Sequence, residues 1–167
     1  GPGGLFLFPT ASVPPKGQLT PGILVLPQHN PVFDSTRTWL SGSLDYGLTD
    51  DLEIGATIVK VGGWQRDASA GGFFKYRLMD EEDGLPAVAV GFTQLAGGDV
   101  NTRVGFLALK KSWTVGKEHA LIGHLGVQYA DEIDGIARHE WQPYAGLEYG
   151  ITTRLSFIVE GRPRMRA

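Results

Sequence analysis

The chain has 167 residues, enough for one domain with a sizeable core, and a net charge of −3 with both signs scattered along it. This charge pattern argues against a nucleic-acid partner, and the absence of cysteine excludes a disulfide framework and thiolate metal sites. Apolar runs are far shorter than the ~20 residues of a membrane helix, whereas the strands of a transmembrane β-barrel need only ~10 alternating residues. The 24 glycines suit the bends of such a barrel.

The N-terminal region holds short, irregular elements. Leu5–Phe8 is an apolar run that counts as a strand only if it pairs, and Pro14–Gly17 has turn chemistry. Gln18–Leu26 fits a strand whose start is made irregular by Pro21. Pro27–Ser35 is a predicted loop.

The stretch Thr38–Val61 has the clearest pattern in the chain. On both sides of Leu48–Asp51, apolar residues alternate with small or polar ones, as in Leu40, Gly42 and Leu44. A period of two indicates extended strands with one apolar and one polar face, and the polar residues between them have turn chemistry. The stretch therefore predicts a β-hairpin of long strands.

The rest of the chain repeats this hairpin pattern. Further strands are predicted at Gly72–Met79, Pro86–Leu95, Thr102–Trp113, His119–Tyr129, Trp141–Gly150 and Arg154–Glu160. Compact turns alternate with longer loops, as in the short periplasmic turns and longer outer loops of membrane barrels. We predict an all-β fold: one domain over residues 1–167, an antiparallel up-and-down β-barrel of about nine or ten strands without substantial helix.

Alternation alone does not tell which face of the barrel points inward. The polar faces are rich in Ser, Thr, Gly, Ala and Gln with few charges, which favours a crowded interior over a solvated surface. Aromatic residues gather near strand ends, as expected at a membrane interface: Trp39, Tyr46, Phe73, Trp113, Tyr129, Trp141 and Tyr149. A membrane barrel is therefore our first interpretation. The alternative is a soluble lipocalin-like ligand-binding barrel, in which these aromatics fill the rims of the core.

The polar faces also carry a set of charged residues: Asp45, Glu53, Lys75, Arg77, Glu148, Arg154 and Glu160. If the apolar faces meet lipid, these charges share a narrow lumen, where pairing offsets their desolvation. We therefore expect a network of interior salt bridges in which each basic residue lies near a carboxylate.

Residues of the types used in catalysis and metal binding are scattered. His29, His119, His124 and His139 form no close ligand pair, and Ser41 and Ser43 have no neighbouring base. The acidic turn Asp80–Asp83 reads as solvated rather than as a cation site, and Asp131, Glu132 and Asp134 lack the later ligands of a calcium loop. Trp64 and Arg66 lie in a predicted loop, where local packing is favoured over contact with a sugar or a partner. We expect no metal, no cofactor and no enzymatic activity. An outer-membrane lipid or glycan hydrolase stays open as a further alternative.

The segment Phe8–Leu19, with the sequence FPTASVPPKGQL, resembles the opening of YjbH-like outer-membrane proteins. Tyr46–Gly55 and Lys75–Leu78 are similar to hairpins in that group and in many other outer-membrane barrels. The resemblance spans most of the chain and implies an outer-membrane β-barrel linked to exopolysaccharide export. It implies the lipid bilayer as a partner, an envelope protein or a polysaccharide as a further one, and no catalytic residues.

The two ends of the sequence bear on processing and completeness. Gly1–Pro2 fits a protease scar or a mature N-terminus, so we expect that a signal peptide has been removed. Gly161–Ala167 is basic and broken by Pro163, whereas outer-membrane barrels usually end in a strand with a terminal aromatic. The sequence leaves open whether closing strands are missing. We expect a structural, anchoring or export-accessory protein of the bacterial outer membrane.

Overall fold

The computed structural model describes residues 8–30, 35–62, 67–98, 101–115, 119–131, 140–152 and 155–162. In these ranges the chain forms nine β-strands. They are β1 (Leu19–Asn30), β2 (Ser35–Gly47), β3 (Leu52–Val61), β4 (Ser69–Met79), β5 (Ala87–Ala96), β6 (Thr102–Val115), β7 (His119–Asp131), β8 (Glu140–Thr152) and β9 (Leu155–Gly161). Nothing in these ranges is a helix long and apolar enough to cross a membrane.

Each strand pairs antiparallel with the next along the chain, which makes one curled, nine-stranded sheet with the shape of a half-barrel. The predicted all-β, up-and-down meander is confirmed. No ladder joins β1 to β9 in the described residues, so the sheet is open between these two edges. Of the tenth strand predicted at Leu5–Phe8, residues 5–7 lie outside the described residues, and Phe8 is not in a strand.

The connections alternate between the two ends of the sheet. We call the end with residues 48–51 and 80–86 the turn end, and the end with residues 62–68 and 97–101 the loop end. Strand pairing continues past the predicted boundaries, because β1 extends to Asn30 and pairs there with Ser35 of β2. The difference in connection length between the two ends is therefore smaller than the sequence predicts.

The two faces of the sheet differ in chemistry. The convex face exposes large apolar side chains, among them Ile23 (84% exposed) on β1 and Phe157 (62%) on β9. The concave face buries the charged side chains of Glu53 and Lys75, both 0% exposed. The polar set of each alternating strand thus faces the inside of the curl, and the apolar set faces outward.

The segment before β1, Phe8–Pro15, lies on the concave face, and we call it the strap. At the turn end, the Gly17 N–H donates to the carbonyl oxygen of Gly47 over 2.7 Å. A Cβ atom on Gly47 would lie 2.2 Å from the carbonyl oxygen of Pro15, so only glycine lets the strap enter here. Thr10 and Ala11 are 0% and 1% exposed, which places the strap in the core of the half-barrel.

Candidate functional site

The most deeply buried charges of the concave face form an ion pair between adjacent strands. Glu53 of β3 is the direct cross-strand partner of Lys75 of β4, and Lys75 Nζ lies 2.6 Å from Glu53 Oε2. Asp45 of β2, 7% exposed, lies close enough to interact electrostatically with Lys75. Strand alternation on β2, β3 and β4 thus brings three charged side chains to one place that water does not reach.

A second polar pair lies on β7 and β8. His124 is 2% exposed, and its Nε2 atom lies 3.7 Å from Glu148 Oε2. Neither ring nitrogen of His124 has a hydrogen-bond partner among the described residues. A buried imidazole without hydrogen bonds is costly, since its polar atoms have lost water and gained no replacement.

Toward the loop end, a row of polar side chains continues along the same strands. Gln128 Nε2 donates to Gln142 Oε1 over 3.0 Å, and Arg162 donates to the same oxygen. Gln142 Nε2 in turn donates to Glu140 Oε2 over 3.5 Å. This row and the His124–Glu148 pair leave Tyr144 of β8 between them in the register of the sheet.

Three aromatic rings lie over three glycines on the concave face, each time between direct cross-strand partners. The pairs are Gly55 with Phe73, Gly91 with Phe106, and Gly126 with Tyr144. A Cβ atom on any of these glycines would lie 2.2–2.4 Å from the ring opposite. Each glycine therefore makes room for a ring that lies flat against the backbone, which lets the sheet curl around a filled interior.

The strap packs against two of these rings, Tyr144 and Phe106. Phe8 stacks on Tyr144 with ring centroids 4.8 Å apart and an interplanar angle of 7°, and the Tyr144 hydroxyl donates to the carbonyl oxygen of Pro9 over 2.9 Å. Ala11 packs in a buried cluster with Ala87, Ala89, Phe106 and Ala108. The strap thus spans the concave face from β2 to β8.

At the turn end, charged residues lie at the rim of the concave face. Arg77 contacts Asp51 (2.9 Å) and Asp80 (3.3 Å), whose side chains are 52% and 65% exposed. Partial burial alone would raise the pKa of Glu81, but hydrogen bonds from the backbone N–H and the hydroxyl of Ser112 hold it below its ordinary value. The rim therefore differs from the buried Lys75–Glu53 pair in its access to water.

The predicted interior charges fall into three groups. Asp45, Glu53 and Lys75 lie together deep in the concave face, and Glu148 lies on the same face beside His124. The side chain of Glu160 is half-buried on β9, and that of Arg77 lies at the rim. Arg154 lies outside the described residues. Lys75 and Arg77, the two described bases of this set, each lie near a carboxylate, one deep in the concave face and the other at its rim.

The predicted interface aromatics divide between the two faces. Tyr46, Trp113 and Tyr149 lie on the convex face at the turn end, and Tyr129 and Trp141 lie at the loop end with ring centroids 5.1 Å apart. For two residues the prediction is wrong. Phe73 is 8% exposed because it lies over Gly55 inside the curl, and Trp39 is half-buried against Val59.

The structure does not bring the described candidates for metal binding and catalysis together in one site. Within the described ranges no group of three or more His, Asp or Glu residues is placed to hold a metal ion. Ser41 and Ser43 lie on β2, whereas His124 lies five strands away on β7. Trp64, Arg66, Glu132, Asp134 and His139 lie outside the described residues, as does the side chain of His29.

The strap is the element of this site that the sequence does not reveal. Its prolines and small residues read as an irregular opening, in which Phe8, Ala11 and Val13 are the apolar residues that indicate burial. The three glycine–aromatic pairs depend on strand register, which alternation alone does not fix. Both features become visible once the pairing of strands is known.

A family comparison covers most of the chain. The profile of a family described as exopolysaccharide biosynthesis protein YjbH matches residues 1–136, a range that includes the strap and β1 to β7. No significant match is found to a curated protein or to a solved structure. Because the matched range covers most of the 167 residues, the chain belongs to the YjbH family of exopolysaccharide biosynthesis proteins.

Proposed function

We propose that the chain forms part of an outer-membrane β-barrel that serves exopolysaccharide production as a structural, anchoring or export-accessory component. The observation that carries this proposal is the sidedness of the sheet. Leu125 and Phe74 are 58% and 47% exposed on the convex face, while Lys75 is fully buried on the concave face. Water-soluble proteins rarely expose so large an apolar surface, whereas membrane barrels present an apolar band to lipid.

The aromatic residues of the convex face support the same proposal. They lie toward both ends of the strands: Tyr46, Trp113 and Tyr149 at the turn end, and Tyr129 and Trp141 at the loop end. Trp113 and Trp141 are 49% and 62% exposed. Tryptophan and tyrosine prefer the boundary between headgroups and acyl chains, so two such belts suit a sheet that crosses a bilayer.

The contents of the concave face favour this proposal over a soluble ligand-binding barrel. That alternative needs an apolar cavity inside the curl. Here the inside holds the Lys75–Glu53 pair, His124 and the strap. An interior filled in this way also favours an accessory or structural role over that of an open channel.

The membrane part of the proposal is tested by detergent dependence. We expect the purified chain to be monodisperse in detergent micelles and to precipitate when the detergent is diluted below its critical micelle concentration. After refolding into liposomes, it should migrate differently in gel electrophoresis with and without boiling. A chain that stays monodisperse and folded without detergent would overturn the proposal.

The exopolysaccharide part is tested in cells. In a strain that lacks the gene, we expect less polysaccharide in the medium and more retained with the cells, measured as hexose in the two fractions. The wild-type gene should restore the distribution. Unchanged amounts of polysaccharide in both fractions would contradict the export-accessory role. The membrane part of the proposal would still depend on the detergent test.

A further inference from the structure

The Tyr144 ring has the surroundings of a saccharide-binding platform. Aromatic rings hold sugars by packing against the C–H face of a pyranose, and neighbouring amides and carboxylates bond its hydroxyls. One face of Tyr144 is covered by Phe8, stacked at 4.8 Å and 7°. Gly126 leaves no side chain beneath the ring, so Tyr144 lies flat against the backbone, and the face that Phe8 covers is the one that a ligand in the strap's place would meet.

Polar groups border the ring on both sides along the strands. Gln142 is two residues before Tyr144 on β8, paired with Gln128 of β7, and His124 and Glu148 lie toward the turn end. His124 is 2% exposed, and neither of its ring nitrogens has a hydrogen-bond partner in the described part of the chain. A sugar hydroxyl is the kind of small donor and acceptor that would satisfy it.

Different contacts hold the two ends of the strap. Backbone hydrogen bonds at Gly17 and Gln18 anchor its turn end, whereas Phe8 is placed by ring stacking, Pro9 by the Tyr144 hydroxyl and Ala11 by packing against alanines. The concave face accommodates the strap, an extended polypeptide, so it is wide enough for one linear glycan chain. The strap thus lies in the concave face without being a strand of the sheet.

We propose that Tyr144, flanked by Gln142 and His124, binds a pyranose ring of a neutral polysaccharide, and that Phe8 occupies this position when no glycan is bound. The inference rests on the proposed role in exopolysaccharide production and names its ligand class. A neutral sugar is favoured because three carboxylates lie along the same face, those of Glu140, Glu148 and Glu160, and they outnumber the guanidinium of Arg162 beside Gln142. An acidic polysaccharide would meet like charge there.

The test measures binding of cellohexaose and isomaltohexaose, two neutral hexasaccharides, by calorimetry with the chain in detergent micelles. Removing the competing ring should raise affinity, so Phe8→Ala should bind at least one of them about tenfold more tightly than wild type. Tyr144→Phe keeps the platform and loses the hydrogen bond to Pro9, so a smaller gain is expected. Adding Tyr144→Ala to Phe8→Ala should abolish the gain.

Two controls keep the result interpretable. Phe74→Ala removes an exposed ring from the convex face and should leave binding unchanged, and heat-dependent gel migration shows that each variant is folded. Hexagalacturonate, an acidic hexasaccharide, should bind more weakly than the neutral probes. The inference is overturned if Phe8→Ala binds neither neutral probe, or if it binds them no more tightly than wild type does. Neither outcome bears on detergent dependence, so the membrane proposal would stand.

Discussion

The convex and concave faces of the sheet are made by the same strands and have opposite chemistry. On β4, Phe74 and Tyr76 point outward and are 47% and 45% exposed, while Phe73 and Lys75 point inward and are 8% and 0% exposed. A water-soluble barrel usually buries its apolar set and exposes its polar set, and the membrane proposal rests on the opposite distribution found here. The comparison teaches that alternation defines two faces, and that the solvent around the protein decides which face is outside.

The largest expected effect comes from removing one charge inside. Lys75→Met leaves the carboxylate of Glu53 buried without its partner, which typically costs about 3–5 kcal/mol of unfolding free energy. Urea unfolding of the protein refolded in micelles measures this loss. The double variant Lys75→Met with Glu53→Gln should recover part of it, because Asp45 is then the one charge of these three that remains.

Arg77→Met is the matched control for that prediction. It removes a basic residue from the same strand and face, but from the rim, where Asp51 and Asp80 are more than half exposed. Exposed pairs contribute about 0–1 kcal/mol, so the loss should be small. Equal losses for Lys75→Met and Arg77→Met would contradict the distinction between the buried pair and the rim.

The second prediction adds a charge outside. Leu125 lies near the middle of β7 and is 58% exposed on the convex face. If this face meets lipid, Leu125→Arg should cost about 2–4 kcal/mol and lower the yield of refolding into liposomes. Leu48→Arg in the turn, where the native side chain is 44% exposed, should have little effect. A normal yield for Leu125→Arg would count against lipid contact.

The third prediction compares glycines on the two faces. A Cβ atom on Gly126 would lie 2.2 Å from the Tyr144 ring, whereas one on Gly105 meets nothing within 4 Å. Gly126→Ala should therefore displace Tyr144 and cost about 1–3 kcal/mol, in the range of overpacked cores. Gly105→Ala should change the urea midpoint little. If both variants unfold at the same midpoint, the interior is less tightly filled than the rings indicate.

The smallest effect is expected at the rim, as a dependence on pH. The pKa of Glu81 lies below its ordinary value of 4.5, because the two hydrogen bonds that Ser112 donates to the carboxylate outweigh the effect of partial burial. A lowered pKa gives stability that is present above pH 4.5 and is lost as the pH falls through the lower, folded value. Glu81→Gln should therefore show a shallower loss of stability in acid than wild type. The same acid dependence in both proteins would show that this contact contributes nothing.

Strand positions were predictable because each depends on a local pattern. The alternation around Leu44 and Ile54 and the turn chemistry of Leu48–Asp51 suffice to place β2 and β3. The Lys75–Glu53 contact is harder to predict, because it depends on the register between β3 and β4 in addition to the face on which each residue lies. The sequence therefore predicts which face these charges share and leaves their partners open.

The strap and the position of Phe73 were not predictable for a different reason. Both depend on contacts between parts of the chain that alternation does not relate: Phe8 with Tyr144, and Phe73 with the bare backbone of Gly55. An aromatic residue near a strand end fits a membrane interface as well as a filled interior. Only the glycine opposite it in the register decides between these positions.

The number of strands determines how the two open edges of the sheet can be paired. The nine described strands are an odd number, so β1 and β9 run in the same direction. A closed barrel in which all neighbouring strands are antiparallel has an even number of strands. An odd number of further strands between β1 and β9 would therefore keep every pair antiparallel, whereas an even number would leave one pair parallel. A second half-barrel in the same orientation would meet both edges in parallel, and an inverted one would meet them antiparallel, with its loop end beside the turn end of the first. Strand direction thus limits which further strands can pair with both edges.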